Sequence, residues 1–224
     1  MSADTSGLGR EPFDPVIRLR VDSVGKRWSA GSALRPVSFD VSAGELVVVR
    51  GRSGSGKSTL LAILAGWCAA DTGQVFVDGE VRPLERQPWS VIAVVPQVLA
   101  LVPELTLREN VASVLDAPDR RSIRRPGAAR VDELFAALDL TELARRFPAE
   151  VSMGQQQRTA VARAVAVDAA VVLADEPTSP QDRDHADSVV AALRAAAERG
   201  SAVVVASHDA AVVAAAHTVV DLDV

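Results

Sequence analysis

Two periodicities divide this chain. "VIRLRV" and "VSFDV" alternate apolar and polar residues, which predicts half-buried strands. "ELVVVR", "VIAVVPQ", "AAVVLA" and "AVVVAS" are apolar without alternation, the pattern of strands covered on both faces. "GQVFVDGEVR" carries Asp78-Gly79 between two β-rich runs, a hairpin signal. "LLAILAGWCAA" reads as an apolar helix that contains Cys68, a small buried hydrophobe. Pro96 stops the strand before it.

The texture changes after Leu99. "TLREN" has the capping-box pair Thr106 and Glu109. Val131, Leu134, Phe135 and Leu138 fall on one helix face. "MGQQQRTAVARAVAV" is Ala-rich and helical, and Asp182 to Arg199 reads as a helix ending at Gly200. Strands alternating with helices at these lengths argue a mainly parallel sheet with helices on both faces. The expected fold is α/β, with an N-terminal antiparallel β subdomain and an inserted α-helical lobe at about 99–165. Residues 1–15, acidic and without an apolar core, read as a flexible tail rather than a signal.

Composition narrows the class. With 48% hydrophobic and 24% charged residues over 224 positions, the chain can build a sizeable core. A net charge of −5 offers no global basic field, so no direct nucleic-acid contact is expected. A single Cys excludes an internal disulfide framework and fits a reducing compartment. The longest uncharged stretch, "PWSVIAVVPQVLALVP", is shorter than the roughly 20 apolar residues a spanning helix needs. The Arg-rich segment holding Arg120, Arg121, Arg124, Arg125 and Arg130 reads first as solvated surface. Contact with anionic lipid or an acidic partner loop is the other reading.

Chemistry concentrates at strand ends. "GRSGSGKS" matches G-x-x-x-x-G-K-[ST] between a strand and a helix, the context of a phosphate loop. Gly51, Gly54 and Gly56 permit a tight backbone turn, and the helix behind them adds its positive dipole end. Arg52, Ser53, Ser55 and Thr59 complete the predicted nucleotide-binding run. Lys57 suits β- and γ-phosphates, and Ser58 suits Mg²⁺. "VVLADEP" puts Asp175 and Glu176 at the end of a buried strand, where open α/β sheets bind ligands. Asp175 is a candidate for Mg²⁺, and Glu176 for orienting an attacking water. Gln97 and His208 end two further strands, Gln97 within reach of metal or water and His208 of a γ-phosphate. His185 and His217 read as structural.

The order of "GRSGSGKST", Gln97, "VSMGQ", "VVLADEP", "SPQD" and His208 resembles the ATP-binding cassette (ABC) ATPases, over nearly the whole chain from about Val16. The resemblance implies a cassette domain over 16–224 that binds ATP and Mg²⁺. It implies that Trp28 stacks on adenine, Glu176 is the catalytic base, His208 is the γ-phosphate switch and Gln97 couples the lobes. Asp182 would communicate between subunits, while Ser152, Gly154 and Gln155 would meet the ATP of a second cassette. A separate transmembrane permease is the implied partner, with the chain peripheral on the inner face of the membrane. "LADEPT" resembles the branch serving lipoprotein release and macrolide export. A soluble cassette in nucleic-acid or ribosome work, and a degenerate regulatory cassette, are the alternatives. Two departures stand out: Met153 replaces the first of two usual glycines, and Pro180 stiffens "SPQD". Met153, in the first helical turn, is expected to slow closure or hydrolysis by crowding the neighbouring nucleotide.

Overall fold

The computed structural model describes residues 16–28, 33–81, 88–115, 128–178 and 185–223. The predicted tail at 1–15, four of the five arginines (Arg120, Arg121, Arg124, Arg125), Pro180 and Asp182 lie outside the described residues.

Two sheets form. The antiparallel one orders β2 (Ala33–Ser42), β1 (Ile17–Arg27), β4 (Thr72–Val77) and β5 (Glu80–Val81). Alternation is legible in its central strand. Leu19 and Val21 are buried while Arg20 between them is exposed and pairs with Asp40 directly across the ladder. The β4–β5 turn is the predicted Asp-Gly hairpin. Asp78 and Gly79 both take positive φ, 50° and 78°, which a type I′ turn demands.

The parallel sheet orders β6 (Ile92–Val95), β7 (Val171–Asp175), β8 (Ala202–Ala206), β3 (Leu46–Arg50) and β9 (Thr218–Asp221). Its strands lack alternation because they divide their side chains between two cores. Leu46 and Val48 pack with the helices, whereas Val47 and Val49 pack against the antiparallel sheet. Strands β7 and β8 split in the same way, Val172 and Val203 to one core, Leu173 and Val204 to the other. Each such residue contributes about 1.5–3 kcal/mol by leaving water, so a charge at Val48 would disrupt the fold.

The α-helices among the described residues are α1 (Lys57–Leu64), α2 (Leu107–Ala112), α3 (Ala128–Ala137), α4 (Met153–Val165), α5 (Ala186–Glu198) and α6 (Ala210–Ala215). Thr106 and Glu109 form the predicted capping box on α2. Val131, Leu134, Phe135 and Leu138 are buried together, as their spacing requires. Buried Asn110 ties the preceding loop to α2. Its amide accepts from Val102 N at 2.7 Å and donates to three carbonyls at 3.0 Å.

The structure corrects the apolar helix read through "LLAILAGWCAA". Helix α1 stops at Leu64, because Gly66 adopts φ 75° and Trp67 N donates back to Ala62 O at 2.9 Å. That Schellman closure satisfies the last carbonyls and ends the helix. Cys68 therefore lies past the helix and is only half-buried, and Trp67 is 64% exposed. Helix α5 is described from Ala186, and it ends beside Gly200 at φ 102° as predicted. Helix α6 and edge strand β9 are elements the periodicity did not announce.

Candidate functional site: a phosphate-loop cleft at the strand ends

The C-terminal ends of β3, β6, β7 and β8 open onto one cleft of about 600 Å³. Gly51–Gly54 and Gly56–Thr59 form one wall, and Gln97, Asp175, Glu176 and His208 face them. Gly54 (φ 83°) and Gly56 (φ 100°) bend the chain from β3 into α1 in conformations that a side chain would strain. A Cβ on Gly56 would also come within 3.2 Å of Leu34 backbone. The N-cap, Gly56, has no side chain to accept from the first N–H groups of α1, which border the cleft. Lys57 Nζ folds back over the loop to donate to Gly51 O at 2.7 Å and Arg52 O at 3.2 Å. The arrangement is a positively polarised cradle suited to a polyphosphate.

Asp175 lies half-buried at the end of β7. Burial pushes its carboxyl above the ordinary value. A hydrogen bond from Ser58 opposes this, the Glu176 charge adds to it, and Lys57 opposes it again. A carboxylate burdened in this way, sharing the cleft with Ser58 and Gln97, is a set of hard oxygen donors that fits Mg²⁺. Among the described residues no group of three His, Cys, Asp or Glu is arranged to hold a metal alone. Phosphate oxygens would have to complete such a site.

Glu176 takes φ 47°, a backbone state costly for a residue with a side chain. Four contacts hold it there. Its N–H donates to Ala206 O at 2.9 Å and its carbonyl accepts from Gln157 Nε2 at 2.6 Å. Its carboxylate meets His208 Nδ1 at 3.0 Å and accepts from Ser207 Oγ at 3.3 Å.

Other predicted residues lie elsewhere. Ser55 does not line the cleft. Its hydroxyl is tucked behind the loop against Gly51, beside a cavity of about 350 Å³ bordered by Arg35, Arg52 and Asp223. Trp28 is 47% exposed at the end of β1, outside the cleft wall, with Lys26 Nζ 5.2 Å from its ring centre. Ser152 is the N-cap of α4, in a capping box with Gln155, and Gly154 is buried in the first turn. None of these three borders the cleft. Met153 is 57% exposed in that first turn, as its position predicted. Of the remaining histidines, His217 accepts from Leu46 N at 2.9 Å, and His185 lies 3.3 Å from Asp139. Arg130 pairs with Glu133 at 3.2 Å.

Sequence reasoning missed two sets of residues at the site. Asp223 Oδ2 accepts from Arg52 N at 2.9 Å, and Asp221 accepts from Arg50 at 2.9 Å, so the end of β9 is fastened to the phosphate loop. Gln157 and Ser207 hold Glu176. A run of three amides was the only visible signal for Gln157, and it did not specify the target.

The family profile described as "ABC transporter" matches residues 34–179. The chain belongs to the ABC transporter family. An uncharacterized ABC transporter ATP-binding protein of Mycobacterium tuberculosis is 39% identical over 87% of this chain and 61% of its own length. The sulfate/thiosulfate import ATP-binding protein CysA of Synechococcus elongatus is 39% identical over 76% of this chain and 49% of its own. This ABC chain thus spans about half to three fifths of the length of these relatives. The dimeric ATP-binding cassette MJ0796, solved in a post-hydrolysis state bound to ADP and Pi, superposes with a TM-score of 0.78. It is 29% identical, with 91% of this chain and 93% of that one covered. No helix among the described residues is long and apolar enough to cross a membrane.

Proposed function

We propose that the chain binds and hydrolyses Mg·ATP as one of two cassettes that enclose two nucleotides and drive a separate transmembrane permease. The observation that carries this is a division within the fold. Lys57, Ser58, Gln97, Asp175, Glu176 and His208 meet in one cleft, while Ser152 and Gly154 stand apart from it at a helix start. A second copy brings that helix start to the open side of the cleft. The dimeric relative bound to ADP and Pi supports the same reading.

The chemistry follows from the residues. Loop N–H groups and Lys57 take the β- and γ-phosphates, and Trp28 stacks on the adenine. Ser58, Gln97 and Asp175 would hold Mg²⁺, which would supply positive charge against that of the phosphates. Glu176 accepts a proton from water as the water oxygen bonds to the γ-phosphorus and the bond to the β-phosphate oxygen breaks. His208 leaves Glu176 to donate to the γ-phosphate. Asp182 has the role the family resemblance implies, communication with the partner, whose Ser152, Gly154 and Gln155 close on the same phosphate.

A second cleft of about 610 Å³ adjoins the first at Gln97, Ser58 and Asp175. Trp67, Trp89 and the 82%-exposed Val98 line it. Exposed apolar surface of this kind suits a protein partner. The permease docks there in this reading, which keeps the chain on the inner face of the membrane and places the contact beside a cleft residue. The resemblance of "LADEPT" to the lipoprotein-release and macrolide-export branch supports one assignment of that permease. The import-type relatives favour a second assignment, which identification of the co-purifying permease decides.

Glu176→Gln tests the central reading. With ATP and Mg²⁺ it should accumulate a dimer in light scattering while phosphate release falls about 10²- to 10⁴-fold, the usual worth of a general base. A variant that hydrolyses at the parental rate removes Glu176 from the role. Salt-sensitive binding to DNA or ribosomes would instead favour the soluble alternative.

A further inference from the structure

Three consecutive glutamines open α4, and successive helix residues point about 100° apart. They therefore serve three different partners. Gln155 Oε1 accepts from Ser152 N at 2.9 Å and closes the capping box. Gln156 Nε2 donates to Pro148 O at 3.0 Å, which anchors the loop before the helix. Gln157 Nε2 donates to Glu176 O at 2.6 Å, nineteen residues away on the other side of the site.

That last contact falls on the backbone of the proposed catalytic base, at the residue whose φ is 47°. The following residue is Pro177, which has no N–H of its own to help organise the turn. We infer that Gln157 is a positioning residue, one that fixes the Glu176 peptide and so aims its carboxylate into the cleft. It does so from the helix that starts at Ser152. Gln157 lies five residues from that start, about 7.5 Å along the axis. Seating a partner's nucleotide on Ser152 and Gly154 thereby acts on this chain's own Glu176 through one rigid turn and a half of helix. The inference rests on the reading of Glu176 as the base, and its test separates the two.

Two substitutions in the full chain carry that test. Gln157→Met keeps the shape and removes the N–H. Gln157→Glu supplies an acceptor when ionised and a donor only when protonated. Contact with a carbonyl favours the protonated form and raises the pH at which the donor appears. For Gln157→Met, kcat for ATP should fall about 10- to 100-fold, the scale of a misplaced catalytic group, with KM within about threefold. The activity of Gln157→Glu relative to parent should rise as pH falls from 8 to 5.5, while that of Gln157→Met stays flat. A merely structural role predicts a lower melting temperature and fewer active molecules, with the parental pH profile for both. Parental kcat in Gln157→Met, or a flat relative profile in Gln157→Glu, overturns the inference. If Gln157→Met is poorly folded, the pH profile of Gln157→Glu decides alone. Glu176→Gln is measured alongside. Parental turnover in that variant removes the base assignment. An inactive Glu176→Gln with a fully active Gln157→Met removes the positioning role alone.

Discussion

His208 Nδ1 lies 3.0 Å from Glu176 Oε1, so the two groups assigned to water and to γ-phosphate hold each other. In the proposed mechanism a nucleotide draws His208 away and frees the carboxylate. His208→Ala removes the hydrogen bond expected at the γ-phosphate, a contact to a charged oxygen worth about 1.5–3 kcal/mol. Steady-state phosphate release should slow about 10- to 100-fold. ATP affinity, read by equilibrium titration, should change far less because the loop and Lys57 supply it. A parental rate would show that His208 does not contact the reacting phosphate.

Asp175 makes the protein's stability depend on pH. Its carboxyl is pushed up first by burial, so across the interval from its ordinary value to the raised one the folded chain holds more protons than the unfolded chain. This contribution to stability is full below the ordinary carboxyl value and is lost as pH rises through the raised one. Asp175→Asn removes that loss. Without nucleotide it should melt higher than the parent at pH 7, by about 2–4 °C for each kcal/mol recovered. The difference should shrink towards pH 4. The same variant should lose Mg-dependent hydrolysis. Equal melting temperatures at pH 7 would contradict the burial penalty.

Met153 tests the departure in the α4 start. Replacing it by Gly removes an exposed side chain and costs about 0.5–1 kcal/mol of helix. Stability and turnover are therefore expected to move in opposite directions: a slightly lower melting temperature and faster phosphate release. An unchanged rate would show that Met153 does not obstruct closure.

Asp223 should act on nucleotide affinity rather than chemistry. Asp223→Ala deprives Arg52 N of its acceptor and loosens the entry to the phosphate loop. One hydrogen bond of about 1 kcal/mol corresponds to roughly a fivefold rise in KM for ATP, with kcat nearly unchanged. Equal KM values would leave the contact structural.

What could be read from the sequence was local or periodic. β3 and β8 were visible because burial on both faces removes alternation. The phosphate loop was visible because glycines, Lys57 and Ser58 must be consecutive to cradle one phosphate. Asp175 and Glu176 were visible because an apolar strand ends on them. Contacts between distant segments were not. Gln157 reaches Glu176 across nineteen residues, and Asp223 reaches Arg52 across 171, so no spacing rule connects either pair. β9 offers only four residues at a sheet edge. The end of α1 was misread because the apolar pattern continues past Gly66, where backbone conformation outweighs side-chain pattern.

The fastening of β9 to the phosphate loop also bears on how the molecule is handled. A dye or biosensor group attached at β9 or next to Asp223 lies beside a side chain that grips the nucleotide cradle. Such a label would report on the loop and disturb it at once, so probes meant to be silent belong at another surface.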